Sequence, residues 1–125
     1  RKIPLVVAGG AGGQIDPTQI QVADLSRTTQ DPLLAKIRNL LRREYGFSRN
    51  PKRRFGVEAV YSTEQLIYPT ADGGVCHQKP DTGGPVRLDC ATGFGASSPV
   101  TASFGLIAAS RLVNRIARKT SATKD

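Results

Sequence analysis

The sequence has no methionine and no tryptophan, only two cysteines and one histidine, and aromatic residues make up just 6% of it. Each scarcity closes a class of chemistry. Cys76 and Cys90 lack the Cys-x-x-Cys spacing of a zinc site, and a single pair makes no disulfide framework. No metal site is expected, and reduced thiols in a cytoplasmic protein are the default reading. A Cys–His dyad would have to use His77 with its neighbour Cys76 or with distant Cys90. Adjacent residues on an extended chain point to opposite faces, which argues against the first. Asp89, next to Cys90, disfavours a thiolate there, so a structural thiol is the better reading. Long apolar runs are also missing. The uncharged stretch 91–110 is about long enough to span a bilayer, but Pro99 and its glycines, serines and threonines make it poorly hydrophobic. A buried or dimer-interface helix is expected instead, with no membrane association. Without an initiator methionine, and with an apolar strand at its very start, the chain reads as the back half of a larger enzyme.

Positive charge is what the sequence has in excess: 18 basic residues against 10 acidic ones, net +8, with a pI near 10.1. That favours a polyanionic partner, nucleic acid before membrane. Two clusters stand out. Arg49, Lys52, Arg53 and Arg54 surround Asn50-Pro51 in an exposed, mobile loop, and Arg111, Arg115, Arg118 and Lys119 occupy the end of the last helix. Both are candidates for phosphate-backbone contact, and a merely solvated charged face is the alternative for each. No aromatic residues interleave with them, so base stacking is not indicated. Apolar content of 38% is low for a self-sufficient α/β domain and suggests a partner surface.

Hydrophobic patterning supplies the elements. Residues 3–8 are almost continuously apolar, as in a strand buried on both faces. Residues 20–25 alternate, as in a half-buried strand, after a turn at Asp16-Pro17. Asp31-Pro32 opens a helix with Leu33, Leu34, Ile37, Leu40, Leu41 and Tyr45 inward, Lys36, Arg38, Arg42 and Arg43 outward, and Gly46 ending it. Residues 57–61 read as a short strand, Glu64 as a helix-start residue, and residues 69–87 as a loop or ragged hairpin. Ser97 or Ser98 caps a last helix that is small or apolar on every side over residues 100–109. The tail from Thr120 is expected to fray. The GGAGGQ element of Gly9, Gly10, Gly12, Gly13 and Gln14 fits two readings: a loop that cradles phosphate, or a tight turn packing backbone on backbone. It matches neither common nucleotide-binding pattern. The carboxylates Asp16, Asp24, Glu58, Glu64 and Asp89 show no spacing that identifies an acid–base pair.

Three stretches taken together, GGAGGQIDPTQIQVADL (9–25), VYSTEQLIYP (60–69) and DCATGFGASSPVTASFG (89–105), are specific in order and spacing. They resemble the C-terminal half of the bacterial tRNA threonylcarbamoyladenosine dehydratases, in the ThiF/MoeB/HesA group related to ubiquitin-activating enzymes. The resemblance implies an α/β fold: the C-terminal portion of a mixed-sheet nucleotide-binding domain, cut before its glycine-rich ATP motif, over residues 1–119 with a tail at 120–125. It implies an ATP-dependent enzyme that adenylates the carboxylate of N6-threonylcarbamoyladenosine in tRNA and closes the ring with net loss of water. ATP and Mg would be bound mainly by a missing N-terminal half, with the Gly9, Gly10, Gly12, Gly13 and Gln14 loop near the ATP. Partners implied are tRNA, a second copy in a homodimer and a sulfur-relay protein. Cys90 lies in the third motif, with its role open. The alternative is a ThiF- or MoeB-like adenylyltransferase for a sulfur-carrier protein, which the lack of Cys-x-x-Cys pairs disfavours. A basic RNA-binding module without chemistry is the third possibility.

Overall fold

The structure, a computed structural model, describes residues 3–70, 72–78 and 95–122. β1 (Val6–Ala8), β2 (Ile20–Asp24) and β3 (Glu58–Ser62) form a mixed sheet in the order β1-β3-β2, with β1 parallel and β2 antiparallel to β3. Central β3 is buried at every residue. Its side chains alternate between the two faces of the sheet, so each face needs its own cover. Helix α1 (Pro32–Glu44) covers one face, where Leu34 packs with Leu25, Ala59 and Tyr61. Helix α2 (Ser98–Ala122) covers the other, where Val100 and Phe104 pack on Val60. This is the α/β arrangement with a mixed sheet that the sequence implied. Completely buried Leu34 alone contributes about 1.5–3 kcal/mol. A short antiparallel pair, β4 (Tyr68–Pro69) with β5 (Val75–Cys76), is the ragged hairpin expected after residue 69. Asp89, Cys90 and the start of the third motif lie outside the described residues.

Helix α1 forms where expected because its signals are local. The Asp31 carboxylate accepts from Leu34 N at 2.8 Å, Pro32 takes the first turn, and Gly46 leaves the helix at φ +67°. Its buried stripe is narrower than expected: Leu34, Ile37 and Leu41 face the sheet, while Leu33, Leu40 and Tyr45 are exposed. Two of its arginines do not simply face water. Arg38 donates to the Thr28 hydroxyl, and burial together with Arg42 lowers the pKa of its guanidinium. Arg42 lies over the Phe55 ring, 5.3 Å from its centroid.

Three other elements add detail to the expectations. The first strand is only Val6–Ala8; Val7 packs toward α1 and Val6 toward α2, so both faces are covered but only partly, and Ala8, Ile3 and Leu5 stay exposed. Helix α2, small or apolar on every side over residues 100–109, buries one stripe and leaves Leu106 exposed along with Val113 and Ile116 further on. The basic loop is exposed over residues 49–54, as expected, and contains a turn. Asn50 accepts from Lys52 N and Arg53 N, and Phe47 meets Phe55 edge to face at 4.9 Å. Among the described residues no helix is long and apolar enough to cross a membrane.

Candidate nucleic-acid interface

The glycine-rich loop leaves β1 and turns its N–H groups inward. Gly9 N donates to Val60 O at 2.8 Å, Gly10 N to the Asp31 carboxylate at 2.9 Å, and Gly13 N to Gly95 O at 2.9 Å. Gly12 bridges to Ala96. A Cβ at Gly9 would sit 2.0 Å from Asp31 Oδ2, so the close approach itself demands glycine there. Glu64 corrects an expectation: it starts no helix. Buried after β3, it accepts the N–H groups of Ile15 and Asp16 at 3.0–3.1 Å. Of the two readings of GGAGGQ, the close-packed turn is the one this geometry realises. With Asp31 and Glu64 behind it, the loop offers a triphosphate neither free donors at these glycines nor a positive field. Gln14 is buried, its Nε2 donates to Gly10 O, and its Oε1 has no partner among the described residues. That acceptor suits an amino or hydroxyl group rather than a phosphate oxygen.

The basic residues sort into distinct places. Arg54 from the loop and Arg111 and Arg115 from α2 converge on one cavity of about 540 Å³, joined there by Arg27. Glu58, side chain 9% exposed, holds the two helix arginines: Arg111 Nη2 is 2.5 Å from Oε1, and Arg115 Nη2 is 3.0 Å from Oε2, ionic but off the line of a hydrogen bond. Asp24 lies opposite Glu58 across the antiparallel pair, and like charges so placed repel unless compensated. Burial works against its charge, but hydrogen bonds from Ser26, Phe55 N and Gly56 N outweigh it and lower the pKa of the carboxyl. Arg49 lines a second cavity of about 410 Å³ with Asn39, Arg42 and Arg43. Lys52 and Arg53 are exposed in the loop, and Arg118 and Lys119 are exposed farther along α2. Arg27 was missed by the sequence reading; as a lone arginine just past β2 it stands in no cluster, and only strand register brings it to the others.

Cys76 and His77 form no dyad. Cys76 Sγ donates to Gln78 O at 3.2 Å, and His77 Nδ1 lies 3.4 Å from Leu66 O, at the edge of a cavity shared with Arg38 and Tyr68. No group of three or more His, Cys, Asp or Glu residues placed to hold a metal occurs among the described residues.

The chain is 55% identical over 118 residues to tRNA threonylcarbamoyladenosine dehydratase of Escherichia coli K12, across 94% of this chain and 44% of that protein. Its likeness is to part of that dehydratase. The dehydratase of Haemophilus influenzae is 51% identical over 120 residues, 96% of this chain and 43% of that one. A solved structure named TcdA (CsdL) superposes with a TM-score of 0.77 at 49% identity, covering 96% of this chain and 42% of that chain. The E. coli dehydratase solved in complex with ATP gives 0.72 at 45% identity, covering 96% and 40%. The fold is therefore that of the C-terminal portion of a ThiF-like protein. The chain spans less than half the length of these dehydratases. No protein-family model matches it.

Proposed function

We propose that this chain is part of an ATP-dependent tRNA-modifying enzyme that cyclises N6-threonylcarbamoyladenosine, with net loss of water, by way of carboxylate adenylation. The observation that carries this reading is the 55% identity to the E. coli dehydratase over 94% of the chain. A net charge of +8 supports tRNA as the partner. In this reading Arg49, Lys52, Arg53, Arg54, Arg111, Arg115, Arg118 and Lys119 supply phosphate contacts. The N–H groups of Gly9, Gly10 and Gly13 are taken internally with carboxylates behind them, which speaks against direct triphosphate contacts from these three. In this reading ATP and Mg are bound mainly by residues outside this chain. Gly9, Gly10, Gly12, Gly13 and Gln14 wall the site near the nucleotide without ligating its phosphates. A cytoplasmic homodimer belongs to the same reading, supported by the exposed Leu106, Val113 and Ile116 on α2. A sulfur-relay partner and a role for Cys90 are not needed for dehydration.

The deciding experiment is nucleoside mass spectrometry of threonylcarbamoylated tRNA incubated with Mg-ATP and the full-length protein. Loss of one water from the modified nucleoside is expected. ATP consumption without that loss would overturn the dehydratase reading in favour of a sulfur-carrier adenylyltransferase.

A further inference from the structure

We propose that the cavity formed by Arg27, Arg54, Arg111 and Arg115 is a phosphate-binding site. Three segments far apart in sequence supply its arginines: the turn after β2, the loop before β3, and α2. Four arginines and two carboxylates line the cavity, and Asp24 is already engaged by four donors, Ser26 N, Ser26 Oγ, Phe55 N and Gly56 N. Glu58 compensates the charge of Arg111 and Arg115 and fixes where they point, yet their side chains remain 51% and 42% exposed. A guanidinium has five N–H donors. Arg111 engages Glu58 through Nε and Nη2 and keeps its Nη1 side for a ligand. Arg115 is on Glu58 through Nη2 and donates to Leu5 O through Nη1 at 3.4 Å, which leaves Nε. Among the described residues neither Arg27 nor Arg54 is matched with a carboxylate. The excess of two positive charges in a concave site favours a doubly charged or bidentate anion, and the arginine fork fits phosphate geometry. If the four arginines did no more than neutralise Asp24 and Glu58, two of them would be surplus.

The site rests on this geometry alone, while assigning its phosphate to a tRNA backbone rests on the function proposed above. Inorganic phosphate is the first probe, titrated into the full-length protein while the arginine Nε–Hε signals are followed by NMR. The second probe is tRNA, bound at several salt concentrations by Arg54→Gln and Arg111→Gln, with Lys36→Gln as control and thermal melts to verify folding. Phosphate should move the signals of all four arginines, and each arginine variant should weaken phosphate binding about tenfold. The salt slope for tRNA should fall by about 0.7–0.9 per lost contact. A moved phosphate titration with an unchanged tRNA slope supports the site and assigns it to free phosphate. Complete lack of tRNA affinity removes the function proposed above, while the phosphate titration of the unmutated protein still decides the site. Arginine signals unmoved by phosphate overturn it.

Discussion

Asp31 carries two structural duties at once, and removing it should cost more than a helix cap. One oxygen accepts Leu34 N at 2.8 Å and caps α1, while the other accepts Gly10 N at 2.9 Å and holds the glycine-rich loop against the helix. The residue is 4% exposed, so water does not readily replace it. Loss of the cap costs about 1 kcal/mol. A Gly10 N–H left without an acceptor adds about 1–3 kcal/mol. Asp31→Ala should therefore lower stability by about 2–4 kcal/mol, and Asp31→Asn, with a single acceptor oxygen for two donors, by about half of that. Gly9→Ala tests the same contact from the other side. Its Cβ would meet Asp31 Oδ2 at 2.0 Å, overpacking that costs about 1–3 kcal/mol. In the double variant the clashing oxygen is gone, so the two losses should sum to less than their total, with a coupling of about 0.5–3 kcal/mol. Equilibrium urea unfolding of the full-length protein, followed by circular dichroism, measures all four variants. A loss under about 0.5 kcal/mol for Asp31→Ala, or strict additivity in the double variant, would refute the account.

Two further outcomes follow from Glu64 and Asp24. Glu64→Ala removes the acceptor shared by Ile15 N and Asp16 N and should cost about 2–3 kcal/mol in the same urea assay, with Glu64→Gln costing less. Asp24 has a folded-state pKa below its ordinary value, so its contribution is present above the unfolded value of about 3.9 and is lost as pH falls through the folded one. Melting temperature should therefore drop across that acid window, and Asp24→Asn should flatten the drop; an equal drop in both proteins would remove Asp24 as its cause.

The parts of the fold legible in the sequence were those whose causes lie a few residues apart. Asp31, Pro32 and Gly46 mark α1 within its own span, and Asp16-Pro17 marks the turn before β2. Glu64 shows why the rest was not. Its place after Ser62-Thr63 satisfies the local pattern of a helix start, but β3 continues through Ser62 and the carboxylate's partners are 48 and 49 residues away. Local pattern and distant partner compete for the same side chain, and here the distant partner wins because the buried carboxylate needs donors and the N–H groups of Ile15 and Asp16 supply them. The partial burial of β1 was equally hidden, since an apolar run reports hydrophobicity and not how completely each face is covered.

The site was half legible for a related reason: charges can be counted in a sequence, but what they face cannot. Read alone, the basic end of α2 looks like a separate solvated surface appended to an apolar helix. The structure shows one continuous stripe instead. Val100, Phe104, Ala108, Arg111 and Arg115 recur at intervals of three and four and look toward the same face of the sheet, the first two buried against Val60 and the last two paired with Glu58. β3 changes in step, since Val60 and Glu58 are two residues apart and project from one face. Helix and strand therefore switch from apolar to charged at matching heights. The arginines are set by the same registry that packs the core, which makes them fixed donors rather than mobile surface charge. A fixed cluster can recognise one phosphate in one place, whereas the exposed Lys52 and Arg53 can only add to the general attraction.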